Sequence, residues 1–536
     1  MKLLLANYRF LLGGGCDGEQ FHQQLASFWT CYEFYQPNHE VFKKDKSALS
    51  STIPLLVHGD EGRYLKKGNF MVCTIECALG CDTDKKPKKP RCECGSDPLL
   101  SRYGNIGLGR EGDAAFLQAI GTASQQHVND SGNEFLSKFL VFGMSSLIYK
   151  KHKGILTQAF EMVAADLKQL HDVGITIQGH TFFASTIGCK GDLKFHHQVG
   201  NLQRSYYNVG IRENHPICSL CLAGTNGVHF EDVSANPVWL QTMYTQKPWN
   251  EGCCPALATI PFEVGCEEAI FRLDLFHCWK CGLGRDLTGS TLIIMCQLQY
   301  FDFEGDDQFN LPARLGRAHS SFSLWCLANH KSPALHSFSK SLLNFKNKKS
   351  FAWFNVKGSD LTLLTAWLLF VVKCSREIHG ERYSALEAAL IETFESAKIV
   401  FGVLHSHQLW LSRLCAQRVQ HHLTVLVRGY KCLAREARLL RIVAYGLKPK
   451  LHAVDHINRD LQRQLNNGAP RVLNCMVFSC EANESVVGHV SRLSRRVSSR
   501  TVSHRVLDRI CIKVKCLIRR WKAKLRLGRS KPKRKR

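Results

Sequence analysis

Residues 53–78, IPLLVHGDEGRYLKKGNFMVCTIECA, decide how this chain is read. The apolar run 53–57 enters His58-Gly59-Asp60-Glu61-Gly62, and 70–78 is a second run rich in β-forming residues. Working outward, 135–149 holds a third strand, and 155–171 places Leu156, Phe160, Val163, Leu167 and Leu170 on one helical face. A fourth strand fills 180–187, with Gly191-Asp192 just past its end. The order is β-β-β-α-β, with one acid at the first strand and another after the fourth.

The predicted fold class is α/β, because that order is the first half of a ribonuclease-H-like mixed sheet. A largely helical, zinc-binding insertion interrupts it, and a helical C-terminal region and a basic tail follow. The predicted boundaries are a partial N-terminal helical region at 1–50, with Phe21, Leu25, Phe28 and Tyr32 at helical spacing, and the first part of the core at 51–210. The insertion occupies 211–345, the remainder of the core and a helical region 346–480, and the tail 481–536. Within the last two stretches, strands are expected at 351–356 and 472–478.

Such a core gathers carboxylates from the first strand, the end of the fourth and a later helix. Two divalent cations about 4 Å apart can then activate an attacking oxygen and stabilise the leaving oxygen of a phosphodiester. Carboxylate oxygens are natural ligands for Mg²⁺. Asp60 and Asp192 stand at the first two stations, although a Gly-Asp pair taken singly is equally at home in a turn. For the third, Asp360 at a helix start and Glu387 on the stretch SALEAALIETFES rank equally. The first also suits an N-cap and the second a solvated helix face.

The 24 cysteines call for metal ligation or burial as free thiols if the chain is intracellular. Cys218 and Cys221 have the spacing of a zinc knuckle, which leaves two tetrahedral positions for distant donors. His277, Cys278 and Cys281 are the expected partners, against the plainer reading of buried thiols near a turn.

Formal charge is +26, and from Arg492 onward nineteen Lys and Arg stand against one acid, Asp508. Along this tail the stripe Ile510, Val514, Leu517, Ile518, Trp521 and Leu525 alternates with Lys513, Lys515, Arg519, Arg520, Lys522 and Lys524. A helix of this kind neutralises DNA phosphates, and the same pattern serves membrane surfaces and helix-binding grooves. The run 531–536, KPKRKR, is of nuclear-import type and predicts a nuclear location. The longest strongly apolar run, 361–372, is too short to cross a bilayer, and residues 1–12 lack the apolar core of a secretory signal. No membrane span and no secretion are expected.

Gly191-Asp192 after the fourth strand, the Cys218/Cys221 pair, Asp274-x-x-His277 and a later helix-borne acid together resemble eukaryotic cut-and-paste transposases of DDE type. The similarity is greatest to the transposases of CACTA elements, and it covers roughly residues 50–400. It implies catalytic carboxylates at Asp60, Asp192 and either Glu387 or Asp360, with two Mg²⁺ ions. It also implies DNA as partner, self-association, and cleavage followed by strand transfer. The family's larger amino-terminal DNA-binding region is absent or cut short, which suggests a truncated or degenerate copy. Two other readings therefore stand beside the first: a non-catalytic nucleic-acid-binding remnant of a mobile element, and a zinc-stabilised scaffold with a cationic interaction tail.

Overall fold

The computed structural model describes residues 18–65, 68–80, 114–130, 133–177, 179–210, 214–380 and 383–529. After helix α1 (Gly18–Tyr35) come strands β1 (Thr52–Arg63), β2 (Asn69–Cys77) and β3 (Lys138–Ser145), which pair antiparallel in sequence. Helix α2 (Ile155–Asp172) crosses over, and β4 (Ile175–Ile177) turns into β5 (His180–Lys190), which runs parallel to β1. The sheet order is β3-β2-β1-β5-β4, with β6 (Phe271–Arg272) parallel to the end of β5. The result is a mixed α/β architecture. β1 is buried from Thr52 through Gly59, which explains its unbroken apolar start. α2 buries Phe160, Val163, Ala164 and Leu167 on the face that packs against β5.

Short helix α3 (Leu193–Val199) follows β5, and a long loop then returns to β6. Among the described residues of that loop the only regular elements are short 3-10 turns, so the helical part of the predicted insertion begins later, at α4 (Gly284–Gln297) and α5 (Leu311–Ala328). Helices α6 (Gly358–His379), α7 (Ser384–Ser406), α8 (Arg413–Leu439) and α9 (Pro449–Asn466) make the helical region.

The strand expected at 351–356 does not form. Its backbone bonds go elsewhere: the Phe354 amide donates to the Arg285 carbonyl at 3.1 Å, at the start of α4. The strand expected at 472–478 is shorter, β8 (Arg471–Leu473), and pairs with β7 (Trp410–Ser412) in a separate two-stranded sheet.

Helices α10 (Glu481–Ser494) and α11 (Val502–Arg529) close the chain. α11 is amphipathic as predicted, but its apolar stripe is already occupied. Val506, Ile510, Val514 and Ile518 are buried where the helix lies along β3, the edge strand of the main sheet. Covering that edge removes a row of unpaired backbone groups from solvent. The stripe is therefore closed to a membrane or a helix-binding groove. Lys513 sits 3.6 Å over the Phe135 ring, and Lys515, Arg519, Arg520 and Lys522 face outward. The Lys524 and Leu525 side chains and residues 531–536 lie outside the described residues. No described helix is long and apolar enough to cross a membrane.

A buried ionic network ties the sheet to α10. Glu76 on β2 is 2.6 Å from Lys190 Nζ on β5 and 3.3 Å from Lys138 Nζ on β3, all three almost without solvent exposure. The Asn483 amide nitrogen donates to Glu76 Oε1 at 3.1 Å, and Lys190 Nζ donates to the Ser479 carbonyl at 3.0 Å. Burial disfavours the charge on Glu76, but the two ammonium groups outweigh it and hold the carboxyl down at about 2. Glu76→Gln leaves two buried cations without a counter-ion, and should destabilise the fold by roughly 3–5 kcal/mol near neutral pH in urea unfolding. Because the folded-state pKa is depressed, this stabilisation is present above the ordinary glutamate value of 4.5 and is lost as pH falls through 2. The gap to wild type should narrow over that window; an unchanged gap would contradict the assignment.

Candidate active site and metal centre

Strand register brings the first two predicted acids together. His58 on β1 lies opposite Lys190 on β5, so Asp60 and Asp192 each follow two residues beyond the same rung. The glycine before each acid has a steric cause. A Cβ on Gly59 would stand 2.1 Å from the Phe195 ring, and one on Gly191 would stand 2.3 Å from that ring and 2.7 Å from the Gly59 carbonyl oxygen. Only residues without Cβ allow α3 to press Phe195 onto both strand ends. Asp192 caps α3 by accepting the Phe195 amide at 2.6 Å, and Asp60 accepts the Glu61 amide at 2.6 Å.

The later acid that meets Asp60 is Glu484, on α10, which packs across β1. The two carboxyl groups are close enough to act on one another's ionisation. Burial, reinforced by Asp60, pushes the Glu484 carboxyl up to about 7, and burial followed by repulsion from Asp192 raises Asp60. Both shifts favour the neutral, protonated carboxyl. Glu484 Oε1 is buried without a hydrogen-bond partner, with His277 Nε2 3.4 Å away.

His277 is oriented by Asp274, whose Oδ2 lies 2.5 Å from its Nδ1. Asp274 is itself fixed by the Phe276 amide at 2.8 Å and the Cys480 amide at 3.1 Å. Burial opposes charge on both members of this pair, yet their mutual bond lowers the Asp274 carboxyl and raises the His277 imidazole. Asp274 thus favours the charged imidazole beside the acids, and His277 is not a partner of Cys218.

Neither expected third acid is part of this cluster. Glu387 is fully buried on α7, where it accepts the Tyr300 hydroxyl at 2.5 Å. Asp360, in the first turn of α6, accepts the Ala334 amide at 2.9 Å. Both are taken up in packing the helical region. Glu484 carried no local signal, since SCEANES reads as an ordinary helix start.

Cys218 and Cys221 do belong to a four-donor cluster, but the other two donors are His452 and His456 on α9. Cys218 Sγ is 3.4 Å from His456 Nε2, Cys221 Sγ is 3.3 Å from His452 Nε2, and the two Nε2 atoms are 3.0 Å apart. All four donors lie within 4.8 Å of one another. Cys278 and Cys281 are not members. The turn that carries them (Phe276–Leu283) is π-helical, aims His277 at Asp274, and buries Cys278, whose thiol is raised to about 12 by that burial. The missed signal was legible: His452-x-x-x-His456 on a periodic helix puts two imidazoles on one face. Trp239 closes over both rings at 4.6 Å, and Arg204 Nη2 donates to the Ser219 carbonyl inside the CxxC turn at 2.8 Å.

No family model, curated protein or solved structure matches this chain. The donor chemistry separates the two clusters. Two thiols and two imidazoles suit a borderline-soft, four-coordinate ion, whereas oxygen-only carboxylates suit a hard cation. The Nδ1 atoms of His452 and His456 are buried without hydrogen-bond partners. Burial raises the Cys221 thiol, while its bonds to Cys221 and the histidines lower Cys218. Both cysteines would bind an ion as thiolates, so binding would release protons.

A pH prediction follows for the metal-free protein. Glu484 has a folded-state pKa above its ordinary 4.5, so it weakens the fold progressively as pH rises from 4.5 through about 7. Glu484→Gln should match wild type in melting temperature near pH 4.5 and melt higher at pH 8. A variant that melts lower at pH 8 would show that the carboxyl is not held against its neighbours.

Proposed function

We propose that this protein is a DDE-type, transposase-like DNA-cleaving and strand-transferring enzyme built on a ribonuclease-H-like core. The observation that carries the reading is the convergence of three distant segments, with Asp192 and Glu484 each close enough to Asp60 to act on its carboxyl. The strand order supports it: three antiparallel strands, then β5 and the short β6 parallel to the first, with short β4 antiparallel beside β5. In such a core the acids stand where they stand here, at the first strand and just past the strand parallel to it.

Asp60, Asp192 and Glu484 would hold two Mg²⁺ ions. When bound, these ions supply charge stabilisation at the phosphodiester and lower the pKa of the attacking hydroxyl. The chain's own residues do the rest. Glu484 would ligate such an ion as the carboxylate, so cation binding would release its proton to solvent. Asp274 lies against Nδ1 of His277 and so orients the ring with Nε2 toward Glu484 Oε1. The exposed cations of α11 add sequence-independent, salt-sensitive grip on DNA. Cys218, Cys221, His452 and His456 would hold one Zn²⁺, stapling the loop before β6 to α9.

Nicking of supercoiled DNA with added Mg²⁺ tests the catalytic part. Asp60→Asn, Asp192→Asn and Glu484→Gln should fall to background while still binding DNA, and Glu387→Gln should nick at the wild-type rate within a few-fold. Wild-type nicking by Glu484→Gln would overturn the site. Metal analysis of purified protein tests the staple: about one zinc per chain is expected, lost in Cys218→Ser and His456→Ala and kept in Cys281→Ser. Zinc retained by both of the first two variants would remove these donors from the ligand set.

A further inference from the structure

The stretch that follows Asp192 carries an aromatic pair to which nothing above gives a task. Asp192 caps α3, and Lys194 and His197 project from that helix. The chain then folds back through a 3-10 turn (Tyr206–Asn208), whose N-cap Ser205 accepts the Tyr207 amide. The Tyr206 and Tyr207 rings stack with centroids 4.3 Å apart at 28°, and His197 meets Tyr207 at 4.9 Å. Tyr207 is 44% exposed, an uncommon position for a large ring that packs on two others.

Three observations tie this platform to the acids. Asp192 and His197 are five positions apart along a rise of about 1.5 Å per residue, so His197, which the Tyr207 ring meets, stands about 7–8 Å along the helix from Asp192. That distance is about two nucleotide steps along a DNA strand at about 3.4 Å each. Asp192 also lies close enough to raise the Tyr206 hydroxyl, after burial and Tyr207. Between rings and acids stands Lys194, half-exposed, with Nζ 2.6 Å from Glu61 Oε2. Glu61 is in turn held by the Tyr149 hydroxyl and by the Asn69 amide at 2.9 Å. An exposed ring with a cation beside it fits a base and its phosphate.

We infer that the Tyr206–Tyr207 pair is a stacking platform for an unpaired DNA base, one or two nucleotides from the phosphodiester bound at Asp60, Asp192 and Glu484, with Lys194 facing the adjoining phosphate. The inference rests on the reading of those acids as a phosphodiester site. The base must be unpaired, because within a duplex both faces of each base are covered by its neighbours. The platform would thus favour frayed or single-stranded ends over intact duplex.

Binding without cleavage tests this separately from catalysis. The full chain is titrated, in buffer without divalent cation, against a fluorescent blunt duplex and the same duplex carrying a four-nucleotide single-stranded overhang. Tyr207→Leu should weaken overhang binding by roughly 5- to 150-fold, the range that loss of one stacked base gives, and blunt-duplex binding by less than about twofold. Tyr207→Phe should behave as wild type, and 2-aminopurine in the overhang should be quenched by wild type and Tyr207→Phe but not by Tyr207→Leu. Unchanged overhang affinity in Tyr207→Leu, or equal loss on both duplexes, would overturn the platform and leave the acidic site standing. Quenching by a wild-type protein that never nicks DNA would support the platform and overturn the catalytic reading. Failure of wild type to bind either duplex would overturn both.

Discussion

Glu76 has no access to water, and it stays ionised because Lys138 and Lys190 reach it from the two neighbouring parts of the sheet. The arrangement of the acids depends on this contact more than on any apolar one. Lys190 lies two residues before Asp192, and Asn483, which donates to the same carboxylate, lies immediately before Glu484. One buried charge therefore fixes both the strand end that carries Asp192 and the helix that carries Glu484. A buried ion pair adds little to stability over a well-packed apolar substitute. Its value here is positional, because each bond has one geometry in which the donor is satisfied.

Rigidity of this kind is needed because the acids repel one another. Burial and mutual repulsion raise the Asp60 and Glu484 carboxyls, while Asp274 favours the charged form of His277 beside them. The scaffold accepts a locally unfavourable charge distribution that a divalent cation would relieve. The thiol–imidazole cluster differs in kind. Its donors are packed beneath Trp239 away from the acids, and it joins a loop with little regular structure to a long helix. There an ion would contribute to folding and not to chemistry.

How far the sequence discloses this arrangement follows from the range of the interactions involved. The strand order and the pair Asp60 and Asp192 were legible, because burial of β1 and β5 writes continuous apolar runs and because each acid follows a glycine that Phe195 makes necessary. Glu484 was not, because its partnership with Asp60 exists only once α10 crosses β1. Its neighbours along the chain are those of any helix start. Cys218 and Cys221 announced a site but not its other half. Cys278 and Cys281 have suitable spacing on the wrong element, while His452 and His456 needed only the four-residue helical period to be noticed. The tail helix showed its amphipathic pattern plainly, yet nothing in the pattern says that the edge strand β3 already covers the apolar face.

The central claim is that three carboxylates separated along the chain form one site for a pair of hard cations. Crystals soaked in Mn²⁺, with anomalous scattering recorded at the manganese edge, address it most directly. The account predicts two peaks roughly 3.5–4 Å apart, ligated by Asp60, Asp192 and Glu484. Peaks confined to other surfaces, or none at these acids at millimolar Mn²⁺, would contradict it.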